Sequence, residues 1–291
     1  MTSTPPKPPP PPPTPHQPPK KKNAVRLVVI SDTHGHHNLL QLPPGDVLIH
    51  CGDFCNRGST QDANAFMDWI FNVDGYKDKI VIDGNHDRNL KNPAALDLRV
   101  LWEEKSNRKT QQKQRQRQQI PIQNERSVER ESNRETAGAT HFLQDEIFQT
   151  SDGLCVYGAS WQSCETKDVS ELERNSDALS SPIDVLLIHS LPSSRHGAVG
   201  NAIRNHNIPL TLGGHRHWGR GVSTIDSNDR RNNIHTNRNV LVNASSLWPS
   251  SVGAVGISPP VVIDYDMETR RILYIDCEPH PQGRGRWRFD P

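Results

Sequence analysis

A chain of 291 residues with 24 prolines and 33% hydrophobic residues can bury a sizeable core, but only from part of its length. Its formal net charge of +1 supplies no bulk attraction to nucleic acid or to a membrane surface. The five cysteines (Cys51, Cys55, Cys155, Cys164 and Cys277) are odd in number and lack the paired spacing of a zinc knuckle, so reduced thiols in a soluble intracellular protein are expected.

Residues 1–22 are mostly proline and end in Lys20-Lys21-Lys22, a composition that favours polyproline II and cannot build a core. They read as a disordered tail without the apolar segment of a secretory signal; the alternative for the same residues is a docking peptide for SH3 or WW domains. Val25–Ile30 is a near-continuous apolar run, as in a strand buried on both faces. Asp46–His50 and Lys79–Ile82 are two further strands. Between them Ser59 or Thr60 caps a helix with Ala63, Phe66, Met67, Ile70 and Phe71 on one side. Lys105–Thr140 is almost devoid of apolar residues and reads as a disordered insertion; without interleaved aromatics its basic first half is not expected to bind nucleic acid. Phe142–Phe148 and Leu154–Tyr157 look like paired strands, and Ile183–Ile188 like another buried one. Leu210–Leu212 follows, then a second polar stretch near Ser227–Asn239. Val240–Val242, Val261–Tyr265 and Ile272–Ile275 complete the strands of an α/β layered protein. The expected division is a tail at 1–22, one domain at 23–278 interrupted at about 105–140 and 227–239, and a second tail at 279–291. No run of about 18 apolar residues predicts a membrane span.

The ends of these strands carry the chemistry. Asp32-Thr33-His34 follows the first, Gly52-Asp53 the second and Gly84-Asn85-His86-Asp87 the third; His189 ends a later strand and Gly214-His215-Arg216-His217 follows the next. In open α/β sheets ligands gather at the carboxyl ends of strands. Residues two apart in extended backbone face the same way, which would aim Asp32 and His34 at one ion and repeat at His215 and His217. A single strand-end histidine is usually a polar cap on the core. Five clusters of carboxylate, amide and imidazole at one edge instead suit manganese, iron or zinc. Two adjacent cations can hold phosphoryl oxygens and generate a hydroxide nucleophile.

This ordered set resembles the calcineurin-like metallophosphoesterases, over about residues 25–265 apart from the polar stretches. His50-Cys51-Gly52-Asp53-Phe54, Tyr157-Gly158-Ala159-Ser160-Trp161-Gln162, Val242-Asn243-Ala244-Ser245 and Pro259-Pro260-Val261-Val262-Ile263-Asp264 are similar to the branch related to fetal-brain protein 239. The resemblance implies a four-layer α/β/β/α sandwich with two divalent ions and phosphodiesterase activity, cyclic nucleotides included. It implies Asp32, His34 and His217 on one ion, Asn85, His189 and His215 on the other, and Asp53 bridging them, with a hydroxide between the ions attacking phosphorus.

His86 is read as the proton donor to the leaving oxygen, with Asp87 orienting its ring. Arg57 is a candidate for gripping phosphate. His36 and His37 read as solvent-facing, His50 as buried at its strand end, His196 as a rim residue, and Asn243 as structural support. The chain departs from the family's pattern in Ser190-Leu191-Pro192 after His189 and in Trp218 after His217, which puts the substrate in doubt more than the metals. The competing readings are an interaction scaffold retaining the fold, and a phosphomonoesterase or protein phosphatase. Asn56 and Asp87 stand where the protein phosphatases have Asp and Glu.

Overall fold

The structure, a computed structural model, describes residues 19–20, 23–88, 97–118, 138–178, 181–193, 197–225, 239–249, 255–278 and 287–289. The first half runs β1 (Ala24–Ile30), β2 (Val47–His50), α1 (Thr60–Asn72), β3 (Asp78–Val81), α2 (Leu98–Gln118), β4 (Ala139–Phe142), β5 (Glu146–Gln149) and β6 (Cys155–Gly158). The second half runs α3 (Trp161–Thr166), α4 (Ser170–Ala178), β7 (Val185–Ser190), α5 (Ala198–Asn205), β8 (Leu210–Gly214), β9 (Gly221–Ile225) and β10 (Asn239–Asn243). It closes with β11 (Leu247–Pro249), β12 (Val255–Ile257), β13 (Val261–Asp266), β14 (Arg271–Cys277) and β15 (Trp287–Phe289).

Two mixed sheets result. One has the order β15-β14-β13-β1-β2-β3-β4 and the other β5-β6-β7-β8-β10-β9, with β11 and β12 as a small separate ribbon. The strands β1 to β4 are mutually parallel, and so are β6, β7, β8 and β10. Val25, Leu27, Val29, Ile49 and Ile80 of the first sheet share one core with Val156, Val185, Leu187, Leu212 and Val242 of the second. The outer face of the first sheet packs Val28, Ile30 and Leu48 on α1 and α2. That of the second packs Leu186 and Ile188 on Cys164, Leu172 and Ile203 of the other helices. The fold is therefore the expected α/β/β/α arrangement of four layers, and β1 is buried along its whole length because both its faces are covered. Its one charge, Arg26, meets Asp264 directly opposite on β13, with Nε 2.7 Å from Oδ1.

The first helix forms as expected. Ser59 accepts from the Asp62 amide at 3.0 Å, and Ala63, Phe66, Met67, Ile70 and Phe71 are buried. The polar stretch from Lys105 differs, since residues up to Gln118 are helical. Gln, Lys, Arg and Glu are good helix formers, and the stretch continues a helix already anchored by buried Leu98 and Trp102. Lys105 and Lys109 stitch it to α1 through Asp68 at 2.8 Å and Asn72 at 2.9 Å. The rest of that expected insertion up to residue 137 and nearly all of the second lie outside the described residues, as do residues 1–18.

Phe142–Phe148 is split between the sheets, with β4 on β3 and β5 on β6. The crossing turns at Asp145, whose φ is 57° and whose carboxylate accepts from Ser160 N at 3.0 Å. Part of the expected C-terminal tail also has a place, since β15 pairs antiparallel with β14. Among the described residues no helix is long and apolar enough to cross a membrane.

Candidate metal centre

The parallel strands of both sheets end on the same side, and the loops after β1, β2, β3, β7 and β8 converge there. The backbone does this in a conformation that strand alternation does not foresee. Asp32 (φ 53°), His34 (φ 42°), Asp53 (φ 58°) and His215 (φ 68°) all lie in the left-handed region. Asp32 and His34 thus share a site because the chain coils after β1, which corrects the expectation of an extended segment; the same holds at His215. Such residues cost about 1–3 kcal/mol each and persist only where surroundings dictate them. Backbone bonds dictate them here: Asp32 N donates to Gly52 O at 2.9 Å and His34 N to Asp53 O at 3.0 Å.

The side chains form two main groups. In the first, His34 Nε2 lies 3.2 Å from His217 Nε2, and Asp32 Oδ1 lies 3.4 Å from the same nitrogen. In the second, Asp53 Oδ2 is 3.3 Å from His189 Nε2, and Asn85 Oδ1 is 3.2 Å from His189 Nε2 and 3.0 Å from His215 Nδ1. Asp53 Oδ2 is also 3.8 Å from His34 Nε2, so one oxygen faces both groups. Atoms bound at about 2.1 Å to one cation stand roughly 3.0–3.4 Å apart at octahedral or tetrahedral angles. The separations within each group match such edges, and the sets Asp32/His34/His217 and Asp53/His189/His215 each bring their ligand atoms within 4.8 Å of one another. The donor set therefore fits divalent ions. Glycines make the closeness feasible: a Cβ at Gly84 would collide with Asp53 Oδ1, and one at Gly214 with Asp32 Oδ2 and Ser31 Oγ.

One loop orients most of the imidazoles. His189 Nδ1 meets the Cys51 carbonyl at 2.7 Å, His34 Nδ1 that of Cys55 at 3.2 Å, and His86 Nδ1 that of Asn56 at 2.7 Å. Each carbonyl fixes one ring nitrogen as the protonated donor and leaves the other for the site. The His86 orienter is thus Asn56, which corrects the role expected of Asp87. The 3-10 turn at Asn85–Asp87 folds the Asp87 carboxylate back under the preceding loop. There its oxygens accept from Asp53 N and Cys55 N at 2.7 Å and from Gly84 N at 2.8 Å. Asp87 holds the backbone of Asp53 in place instead of touching the His86 ring. His86 itself stands edge-on to His34 at 4.7 Å and forms a further close set with His34 and Asp53.

The Arg57 residue is exposed, and its backbone amide points to Asp62 at 3.4 Å. The expected solvent-facing His37 is 2% exposed, its ring packed on Phe66 and Trp69 of α1, because the short 3-10 turn at His37–Leu39 lays it there. Burial pushes it down to about 4. His50 is buried as expected, against Thr33 at 3.0 Å. His196 lies outside the described residues.

Electrostatics in the site is a contest between burial and charge. Burial pushes the Asp32 carboxyl up, but the hydrogen bond from His217 and the charges of His189 and His217 hold it well below the usual range. Burial likewise opposes protonation of His189, yet the Asp53 carboxylate beside it raises it to about 9. The hydrogen bond to Asp32 raises His217, whereas burial lowers His34 and His215. The Asp53 carboxylate thus favours the protonated form of His189, and the Asp32 carboxylate that of His217.

Ser245 and Asp83 are not read as site residues in the sequence, whereas Asn243 is read as structural support. Ser245 Oγ donates to Asp32 Oδ2 at 2.9 Å, and Asn243 holds Ser245 and, through Nδ2, the Arg216 carbonyl at 2.9 Å. Asp83, fully buried just before Gly84, accepts from Trp161 N at 2.9 Å. The signal available was the unusual Asn243-Ala244-Ser245 and Ser160-Trp161-Gln162 strings.

Comparison with known proteins places this geometry. The family model for calcineurin-like phosphoesterases matches residues 25–219, which span all five ligand clusters through His217. The chain belongs to the calcineurin-like phosphoesterase family. It is 41% identical over 73 residues to metallophosphoesterase domain-containing protein 1 of Homo sapiens, a segment covering 25% of this chain and 22% of that protein. A UPF0046 protein of Caenorhabditis elegans is 28% identical over 187 residues, covering 62% of this chain and 45% of the relative. Another from the same organism is 43% identical over 81 residues, 27% of this chain and 28% of its own length. The chain thus spans less than half the length of the curated relatives it matches.

Proposed function

We propose that this phosphoesterase-family site is a binuclear centre that hydrolyses phosphodiesters, with cyclic nucleotides as the first substrates to try. The observation that carries the reading is Asp53 Oδ2, 3.8 Å from His34 Nε2 and 3.3 Å from His189 Nε2. A single carboxylate oxygen facing two ligand groups is what a bridge between two cations requires, since it screens their repulsion. Asp32, His34 and His217 would hold one ion, and Asn85, His189 and His215 the other. When bound, the ions would supply Lewis acidity at phosphoryl oxygens and an acidified water.

The chain's own residues divide the remaining work. The Cys51 and Cys55 carbonyls hold His189 and His34 in the tautomer that offers Nε2 to the site. His86, with Nδ1 on the Asn56 carbonyl, presents its other nitrogen to the cleft and is assigned proton delivery to the leaving oxygen. Asp87, through three backbone amides, keeps Asp53 in its left-handed turn. Arg57 is assigned a peripheral contact to phosphate, because the residue is exposed.

The test is hydrolysis of a chromogenic phosphodiester and of the matching monoester by purified protein with added manganese, beside Asp53→Asn. Diester turnover lost in the variant, with the variant still folded, is the expected result. Turnover of the monoester alone, or full activity in the variant, would sink the reading. A cyclic-nucleotide panel then separates this substrate class from other diesters.

A further inference from the structure

Trp161 opens α3 and packs against both imidazoles of the second ligand group, with ring centroids 5.6 Å from His189 and 5.7 Å from His215. The two imidazoles are otherwise held differently. His189 is fully buried and pinned to the Cys51 carbonyl at 2.7 Å. The half-buried His215 ring meets no carbonyl among the described residues; it rests between the Asn85 amide at 3.0 Å, the His189 ring and the Trp161 indole.

The backbone of Trp161 is itself held by a buried carboxylate. Asp83 is fully buried, with Oδ1 accepting from Trp161 N at 2.9 Å and Oδ2 from Arg88 Nε at 3.2 Å. Arg88 reaches on to Gln162 Oε1 at 3.0 Å. Residues 83 and 88 bracket the loop that carries Asn85 and His86, so one carboxylate ties that loop to the start of α3. The loop that carries the ligand Asn85 and the residue whose indole lies against His189 and His215 are thereby hydrogen-bonded to one another.

We propose that Trp161 is a positioning residue for the second metal ion: with its backbone amide anchored on Asp83, its indole keeps the His215 ring turned onto Asn85, and so sets the affinity of that ion and not of the first. This rests on the binuclear reading above. An imidazole free to rotate must be ordered when the ion binds, and that entropy is subtracted from affinity. Loss of a group that orients a ligand typically weakens a metal by about 10–100-fold. The first group makes no ring contact with Trp161; its His34 and His217 rings stack on each other at 5.1 Å.

The test is manganese titration of the full chain by calorimetry, with the electron paramagnetic resonance spectrum recorded at each step, for wild type, Trp161→Ala and Trp161→Phe. Wild type should take two ions and develop the spectrum of a coupled pair. Trp161→Ala should bind the first ion unchanged and the second about 10–100-fold more weakly, showing a mononuclear spectrum at manganese levels that saturate wild type. Trp161→Phe, which keeps an aromatic face, should recover most of the loss. Trp161→Leu carries the same comparison if the alanine variant does not fold. Equal weakening of both ions would mean that Trp161 is packing alone, and an unchanged second ion would likewise overturn the proposal. A wild type that takes only one ion would instead defeat the binuclear reading on which it rests.

Discussion

In the group formed by Asp32, His34 and His217, the His217 side chain is 23% exposed and the Asp32 carboxylate is gripped by hydrogen bonds from Ser245 Oγ and the His215 amide. In the group formed by Asn85, Asp53, His189 and His215, His189 is fully buried and the two imidazoles lie against the Trp161 indole. Both groups have an imidazole on a backbone carbonyl, but the first adds donors to a buried carboxylate and the second adds an indole against its two rings. The Asp32 carboxylate is fully buried, so protein donors must replace the water its oxygens lose, whereas the His189 and His215 rings are also held in direction by the indole against them. Changes at one group should therefore be separable from changes at the other, except at the carboxylate they share.

Asp53→Asn tests that exception and has the largest expected effect. Removing the charge that faces both groups should abolish uptake of two ions and reduce diester hydrolysis to background, which calorimetry and a turnover assay check together. Retention of two tightly bound ions would show that the two groups do not depend on a common bridge.

Ser245→Ala sharpens the comparison from the first side. It deletes the 2.9 Å hydrogen bond to Asp32 Oδ2 and should weaken the first ion by about 10–100-fold while sparing the second. The pattern is the mirror of that expected at Trp161, and metal titration of both variants reads the two against each other.

Proton linkage gives a smaller, graded effect. His189, raised to about 9 by Asp53, must lose a proton to accept a cation. Metal affinity should rise with pH by up to about tenfold per unit below that value, with protons released on binding. Calorimetry in buffers of different ionisation enthalpy counts them. In the metal-free protein the sign is opposite: a folded value above the ordinary 6.5 adds stability that is full below 6.5 and is lost as pH rises through about 9. Chemical unfolding across that window should show the decline, and added metal should abolish it.

The smallest effect is expected at Arg57. An exposed arginine without a close partner in the site should change stability by less than about 0.5 kcal/mol on replacement by alanine. Any kinetic change should fall on KM and leave kcat intact. A large fall in kcat would bring the guanidinium into the reaction and correct the placement given above.

Much of this site was legible because its ligands are side chains of distinctive chemistry at strand ends. The buried strands β1, β2 and β7 were legible from their continuous apolar runs, and α1 from its one-sided pattern and Ser59 cap. The helical nature of Lys105–Gln118 was not, because low apolar content signals equally a solvated helix and a chain without structure. What separates them is the anchoring of Leu98, Trp102, Lys105 and Lys109 on α1, a tertiary contact. His37 misled for a related reason: a histidine in a polar loop carries no sign of the aromatic residues that cover it.

The sequence by itself determined the donor types, their order along the chain and the α/β layered class, since side-chain chemistry and hydrophobic period are local properties; the four layers were implied only by the family resemblance. Only the tertiary structure decided which nitrogen each imidazole offers and which donors share a group. Those choices rest on carbonyls of Cys51, Cys55 and Asn56 and on left-handed backbone at Asp32, His34, Asp53 and His215. A backbone carbonyl is the same chemical group at every residue, so no sequence pattern marks the ones that matter. Cys51 and His189 meet across 138 positions only because two sheets stack and bring their strand ends together.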